Sequence, residues 1–152
     1  MKYTFFFSAL MISTLSFSQT SEKDKVKSTI EHFFEGFHKQ DSTIILETVS
    51  KDIKMQSIGK NKEGKAILNT SEFKKFLNSI VSIPKEKTFK EELLGLTIQI
   101  DGDMAHVWTP YEFWFDNNFS HCGVNSFQLF KDDGNWKIIY LIDTRRRDCK
   151  QD

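Results

Sequence analysis

Residues 104–147 read MAHVWTPYEFWFDNNFSHCGVNSFQLFKDDGNWKIIYLIDTRRR. The run is rich in aromatic and aliphatic residues. Asp116-Asn117-Asn118 and Asp132-Asp133-Gly134 interrupt it with residues that favour turns. The pattern predicts three long strands, about 104–115, 119–131 and 136–146, joined by two tight turns. A further strand, 90–100, precedes them, with Leu94, Leu96, Ile98 and Ile100 on one face. Asp101-Gly102 supplies the positive φ for the hairpin between. Pro110 removes one ladder donor, so a bulge or bend is expected there.

Turn length decides which side chains share a face, because the side-chain period of a strand is two. With both later turns read as three-residue loops, residue 113 faces 121 and residue 123 faces 143. One face then carries Tyr111, Phe113, His121, Gly123, Asn125, Phe127, Ile139, Leu141, Asp143 and Arg145. The other carries Trp108, Trp114, Cys122, Ile138, Tyr140 and Ile142. Both faces mix apolar and polar groups. A curved sheet whose concave side is part core and part polar pocket gives this pattern, whereas a sheet with one dry and one wet face would separate the two kinds.

The preceding half is helical. Val26, Ile30, Phe33, Phe34 and Phe37 make one stripe of a helix over 21–40, with Ser21 and Asp24 as its cap. His32 and His38 on it read as solvated surface. Asp41 caps a short helix over 42–49, and a strand follows at 52–58. After a polar loop, 65–68 is a candidate short strand. Thr70 or Ser71 starts a third helix, with Phe73, Phe76, Leu77, Ile80 and Val81 as its stripe and Pro84 at its end. No linker or repeat divides the chain.

Residues 1–18 stand apart. Lys2 precedes a mostly apolar run, and Ser16-Phe17-Ser18 places small residues where a signal peptidase cuts. The run is too short for a membrane span of about 20 residues. The expectation is a removed signal peptide, a single domain over 19–152, and a periplasmic or secreted product with no membrane attachment after removal. Lys plus Arg and Asp plus Glu number 21 each, so the formal charge is zero. That argues against nucleic acid, which attracts a basic excess.

The order helix, helix, strand, helix and then a long antiparallel run ending in G-x-W-K-I resembles the nuclear transport factor 2-like superfamily, also called SnoaL-like. The segments FFEGFHKQD (33–41), AHVWTPYEFWFD (105–116) and 120–147 carry the resemblance. It looks most similar to small exported bacterial members, either of the general nuclear transport factor 2 kind or of the lumazine-binding type. The resemblance implies an α+β cone: a curved mixed sheet wrapped around about three N-terminal helices, a pocket at the open end, and homodimers through the sheet. It implies little about activity, because such folds host isomerases, cyclases, hydratases and plain binding modules.

In the isomerase branch of that superfamily, pocket carboxylates move protons beside a carbonyl, which requires a carboxyl in a partly apolar cavity. Asp143, which interrupts the apolar strand IIYLID, fits that need; it equally fits a salt bridge to Arg145. His121, Asn125, Asp143 and Arg145 converge on one cavity in the register above and would orient a ligand with an anionic or carbonyl group. Trp108, Tyr111, Phe113 and Trp114 supply stacking surface, or core. The expected ligand is a small polar or aromatic molecule. Two functions follow: a binding module without catalysis, or a cofactor-independent isomerase, cyclase or dehydratase with Asp143 and His121 as its acid and base. No cofactor is expected. No metal is expected either, since no H-x-x-x-H or C-x-x-C spacing occurs. Cys122 and Cys149 either form a disulfide that pins the C-terminal tail, contributing roughly 3 kcal/mol by closing a loop of about 27 residues, or leave Cys122 as a buried thiol.

Overall fold

The computed structural model describes residues 21–149; the expected signal peptide lies outside them. Helix α1 (Glu22–Lys39) buries the stripe Val26, Ile30, Phe33, Phe34 and Phe37. Ser21 and Asp24 cap it reciprocally, with the Asp24 amide donating to Ser21 Oγ at 3.1 Å. Gln40 ends it in the left-handed conformation, φ 55°. Asp41 then caps α2 (Ser42–Thr48), accepting from the amides of Thr43 and Ile44. The two helices touch at Gly36, where an added Cβ would lie 2.8 Å from the Ile45 nitrogen. Only glycine permits that approach.

Strand β1 (Val49–Lys60) begins where α2 stops, and β2 (Ala66–Ser71) folds back on it. Thr70 and Ser71 do not start the third helix. They pair with Gln56 and Met55, so ladder hydrogen bonds outcompete local capping. Helix α3 (Phe73–Val81) begins later, without a side-chain cap, and Ile80 is its one buried residue.

The strand predicted over 90–100 is two strands, β3 (Phe89–Leu93) and β4 (Thr97–Asp101), side by side along β5 (Met104–Phe115). The interruption at Leu94-Gly95-Leu96 lies opposite Pro110. The Leu94 amide still donates to the Pro110 carbonyl at 2.8 Å, but proline has no N–H to return. The defect expected within β5 thus falls on its partner: Pro110 itself pairs in register with Val124. The break also changes phase. Leu96, Ile98 and Ile100 face the core as predicted, but upstream it is Phe89 and Leu93 that pack inward. Leu94 is 52% exposed.

Strands β6 (Asn118–Asp132) and β7 (Asn135–Thr144) complete the sheet, in the order β2-β1-β7-β6-β5-β3 with β4 beside β5. The pair β1–β7 is parallel and the others are antiparallel. Both later turns are two-residue turns rather than three-residue loops. Asp116-Asn117 and Asp133-Gly134 have positive φ at both positions, as type I′ hairpins require. A bulge at Ser120 restores the predicted pairing of Phe113 with His121. A bulge at Ile139 makes Asn125, not Gly123, the partner of Asp143. That shift of two keeps the predicted face. Ile139 and Ile138 exchange roles, however: Ile138 is fully buried opposite Leu129. The architecture is the predicted α+β cone, with a curved mixed sheet closed over α1.

Candidate functional site

The inner sheet surface changes character along its strands. Near the start of α1 it is aliphatic, with Val107, Leu129 and Ile138 against Val26 and Ile30. Towards the end of α1 the same strands present Phe113, His121, Asn125, Asp143 and Arg145. These surround a cavity of about 220 Å³. Phe33, Phe34 and Phe37 of α1, Phe76, Ser79 and Ile80 of α3, Met55 and Gln56 of β1, and Leu141 complete its wall with Glu91 of β3.

Glu91 is the residue that the sequence pattern misses. A continuous strand over 90–100 with Leu94 inward turns Glu91 outward. The break opposite Pro110 reverses this and sets Glu91 between the inward Phe89 and Leu93. Asn125 Nδ2 donates to Glu91 Oε1 at 2.6 Å. Burial, together with the neighbouring Asp143 charge and against the Asn125 bond, pushes the Glu91 carboxyl up to about 7. The Glu91 backbone amide donates to His38 Nε2 at 3.0 Å. His38 therefore ties α1 to β3 and presents a bare ring nitrogen, rather than being solvated surface alone. Burial holds its pKa below the usual histidine range. The signals that point to Glu91 are Pro110 and Gly95, which together mark the change of phase.

Asp143 is 9% exposed and Asn125 4%. Arg145 Nε donates to Asp143 Oδ2 at 2.7 Å. Tyr111, almost wholly buried, donates its hydroxyl to the Thr144 carbonyl at 3.0 Å and lies 3.3 Å from Asp143 Oδ2. The phenol is pushed well above its ordinary pKa by burial, then by the Asp143 and Glu91 charges. Tyr111 thus supports the site from below and is not part of the cavity wall. Gly123 makes this possible: a Cβ there would fall 1.7 Å from the Thr144 carbonyl oxygen and 3.0 Å from Tyr111 Cε1. His121 stacks on Phe113 with ring centroids 5.0 Å apart. Burial, and then Arg145, hold its pKa down.

The segment after β7 is fixed on both sides. The Arg145 amide donates to Ile58 of β1, and Cys122 and Arg146 exchange two backbone hydrogen bonds at 2.9 Å each. Cys122 and Cys149 form a disulfide, as the first of the two readings expects. Of the predicted pocket residues, Phe113, His121, Asn125, Asp143 and Arg145 come together. Trp108 does not: it pairs with Thr97 and Ser126 on the outer face and is 46% exposed. Trp114 is also outward, edge-on to Phe119. Among the described residues, no three of His, Cys, Asp or Glu gather as a metal-ligand set, and no helix is long and apolar enough to cross a membrane.

No protein-family model matches the sequence, and no curated protein matches it either. Solved structures do. A nuclear transport factor 2-like protein of unknown function from Shewanella baltica shares 19% identity, with a TM-score of 0.60 over 84% of this chain and 98% of its own. A nuclear transport factor 2-like protein from Cytophaga hutchinsonii shares 14% identity, with a TM-score of 0.64 over 84% of this chain and all of its own. A candidate ketosteroid isomerase from Shewanella frigidimarina shares 15% identity, with a TM-score of 0.58 over 78% and 94%. The chain has the nuclear transport factor 2-like, cystatin-like fold.

Proposed function

We propose that this chain is an exported domain that binds a small molecule in the hollow at the open end of its cone. One observation carries this reading: Glu91, Asn125, Asp143 and Arg145 gather at one end of a hollow walled largely by apolar side chains, five phenylalanine rings among them. Buried polar groups are costly unless paired. A cluster of them beside an apolar wall is what orients a ligand with one polar end and one ring. The volume falls below the roughly 300 Å³ at which pockets for drug-sized ligands begin, so a single-ring compound fits best. The Cys122–Cys149 disulfide supports export, since such bonds persist in oxidising compartments. Exposed Met104, Trp108 and Phe130 on the outer sheet face support self-pairing through that face.

Ser79 lines the hollow from the exposed side of α3, where a larger side chain can be added without disturbing the core. Single-ring compounds that raise the melting temperature of the native chain should lose that effect in Ser79→Trp. Equal shifts in both proteins would place binding elsewhere and sink the reading.

One observation favours the catalytic alternative. A carboxyl that titrates near 7 is matched to general acid–base work at neutral pH. Asp143 is committed to Arg145, so Glu91 rather than Asp143 would move the proton in an isomerase, cyclase or dehydratase, with His121 alongside. Exchange of deuterium from solvent into the α-position of a bound ketone, abolished in Glu91→Gln, would separate catalysis from binding.

A further inference from the structure

The reading of the hollow as a binding site leaves open the charge of its occupant. Among the described residues, the hydrogen bonds to the Asp143 carboxylate end on Oδ2, from Tyr111 and Arg145. The bond to the Glu91 carboxyl ends on Oε1, from Asn125. Asp143 Oδ1 and Glu91 Oε2 therefore keep their capacity to accept. Asn125, with its amide nitrogen turned to Glu91, keeps its carbonyl oxygen. Three acceptor oxygens thus remain on residues that line one end of the hollow.

The donors are less enclosed. Arg145 gives its Nε to Asp143 and keeps its two terminal amino groups, but on a side chain that is 59% exposed, against 11% for Asp143. His121 has Nδ1 within 3.1 Å of Ser120 Oγ, and burial, then the Arg145 charge, lower its pKa, which disfavours the charged ring. No lysine lines the space. Arg145 and Asp143 cancel, so the ionisation of Glu91 decides the sign, and that sign is zero or negative. An anion entering here meets acceptors and must leave Glu91 protonated. A cation with several N–H groups meets partners, and the faces of Phe37, Phe76 and Phe113 attract it further.

Resting on the binding reading, we propose that the hollow selects a planar single-ring ligand carrying a protonated group with several N–H donors, of the amidinium or arylguanidinium kind, set against Glu91, Asn125 and Asp143. Arg145 then serves to hold Asp143 in place, rather than to capture an anion from the ligand.

Calorimetric titration of the whole chain with benzamidine, benzoate and benzyl alcohol tests this. The three share one ring and differ in charge. At about pH 8, where Glu91 is ionised, benzamidine should bind at least about tenfold more tightly than benzoate, the scale of a charged hydrogen bond. Its affinity should fall towards about pH 5.5 as Glu91 takes up a proton. Glu91→Gln should lose about tenfold of the benzamidine affinity and most of that pH dependence. A second measurement needs no variant. Near neutral pH, benzamidine binding to the native chain should release protons, seen as a heat that varies with the ionisation enthalpy of the buffer. Preferential binding of benzoate, or benzamidine binding without proton release, would overturn the charge assignment while leaving the hollow a binding site. Failure of all three probes to bind would overturn both.

Discussion

The two ends of the inner sheet surface are built from the same three strands and yet do opposite work. At one end Val107, Leu129 and Ile138 have no exposed surface, and the chain closes over them: Trp136 Nε1 donates to Glu22 Oε2 at 3.0 Å, and Lys131 pairs with that carboxylate at 2.9 Å. At the other end β5, β6 and β7 offer Tyr111, Asn125 and Asp143, and the helix side is held back by phenylalanine rings. Polarity therefore changes along each strand rather than between its faces. The closed end provides the rigidity against which the open end can hold partly paired carboxylates.

The largest effect expected from this contrast is on stability. Phe127 has no exposed surface and meets Phe33 and Phe34 edge-on at 6.0 and 6.1 Å. Phe127→Ala should cost about 3–5 kcal/mol in denaturant unfolding. Phe113→Ala, whose ring borders the hollow, should cost clearly less, because part of its surface has no packing to lose. Equal losses would mean that the open end is as solid as the closed one.

The next effect is electrostatic. Glu91 keeps its proton to about 7 in the folded chain, against an ordinary value of 4.5. Between those values the folded state binds the additional proton. The stabilisation is full below about 4.5 and is lost as pH rises through 7. Denaturant unfolding at about pH 5 and about pH 8 should reveal a decline of up to roughly 3 kcal/mol that Glu91→Gln removes. A decline that persists unchanged in the variant assigns it to other groups.

The smallest effect concerns the support beneath the site. Tyr111→Phe removes the bond to the Thr144 carbonyl and should cost about 1 kcal/mol by the same measurement. It should also weaken ligand binding, since Asp143 loses a neighbour. No change in either quantity would reduce Tyr111 to a packing residue.

Much of this contrast could be read before the fold was known. The long apolar and aromatic runs of 104–147, punctuated by two turn clusters, identify the strands, and the stripe from Val26 to Phe37 identifies the helix beneath them. Phe113, His121, Asn125, Asp143 and Arg145 were legible as one cluster because errors of turn length and of bulge position cancelled in parity. Glu91 was not legible. Its direction depends on where a neighbouring strand breaks, and that break is imposed across the sheet by a proline 19 positions later. Local periodicity contains no such information. The burial of Ile138 in place of Ile139 was hidden for the same reason, a bulge that no turn residue marks. Trp108 was assigned to the pocket for its stacking surface, although its parity already placed it outside.

The disulfide has a consequence for traffic into the hollow. On one border the segment from Arg145 to Cys149 is fastened to β6 covalently and through paired backbone bonds, so it cannot swing aside. The opposite border is α3, nine residues long and uncapped by any side chain, with Ile80 as its one buried residue and Phe73, Phe76 and Leu77 only partly buried against the core. Of the two, the helix is the border that costs less to displace, so an opening of the hollow would proceed by lifting α3 while Asp143 and Arg145 stay where they are.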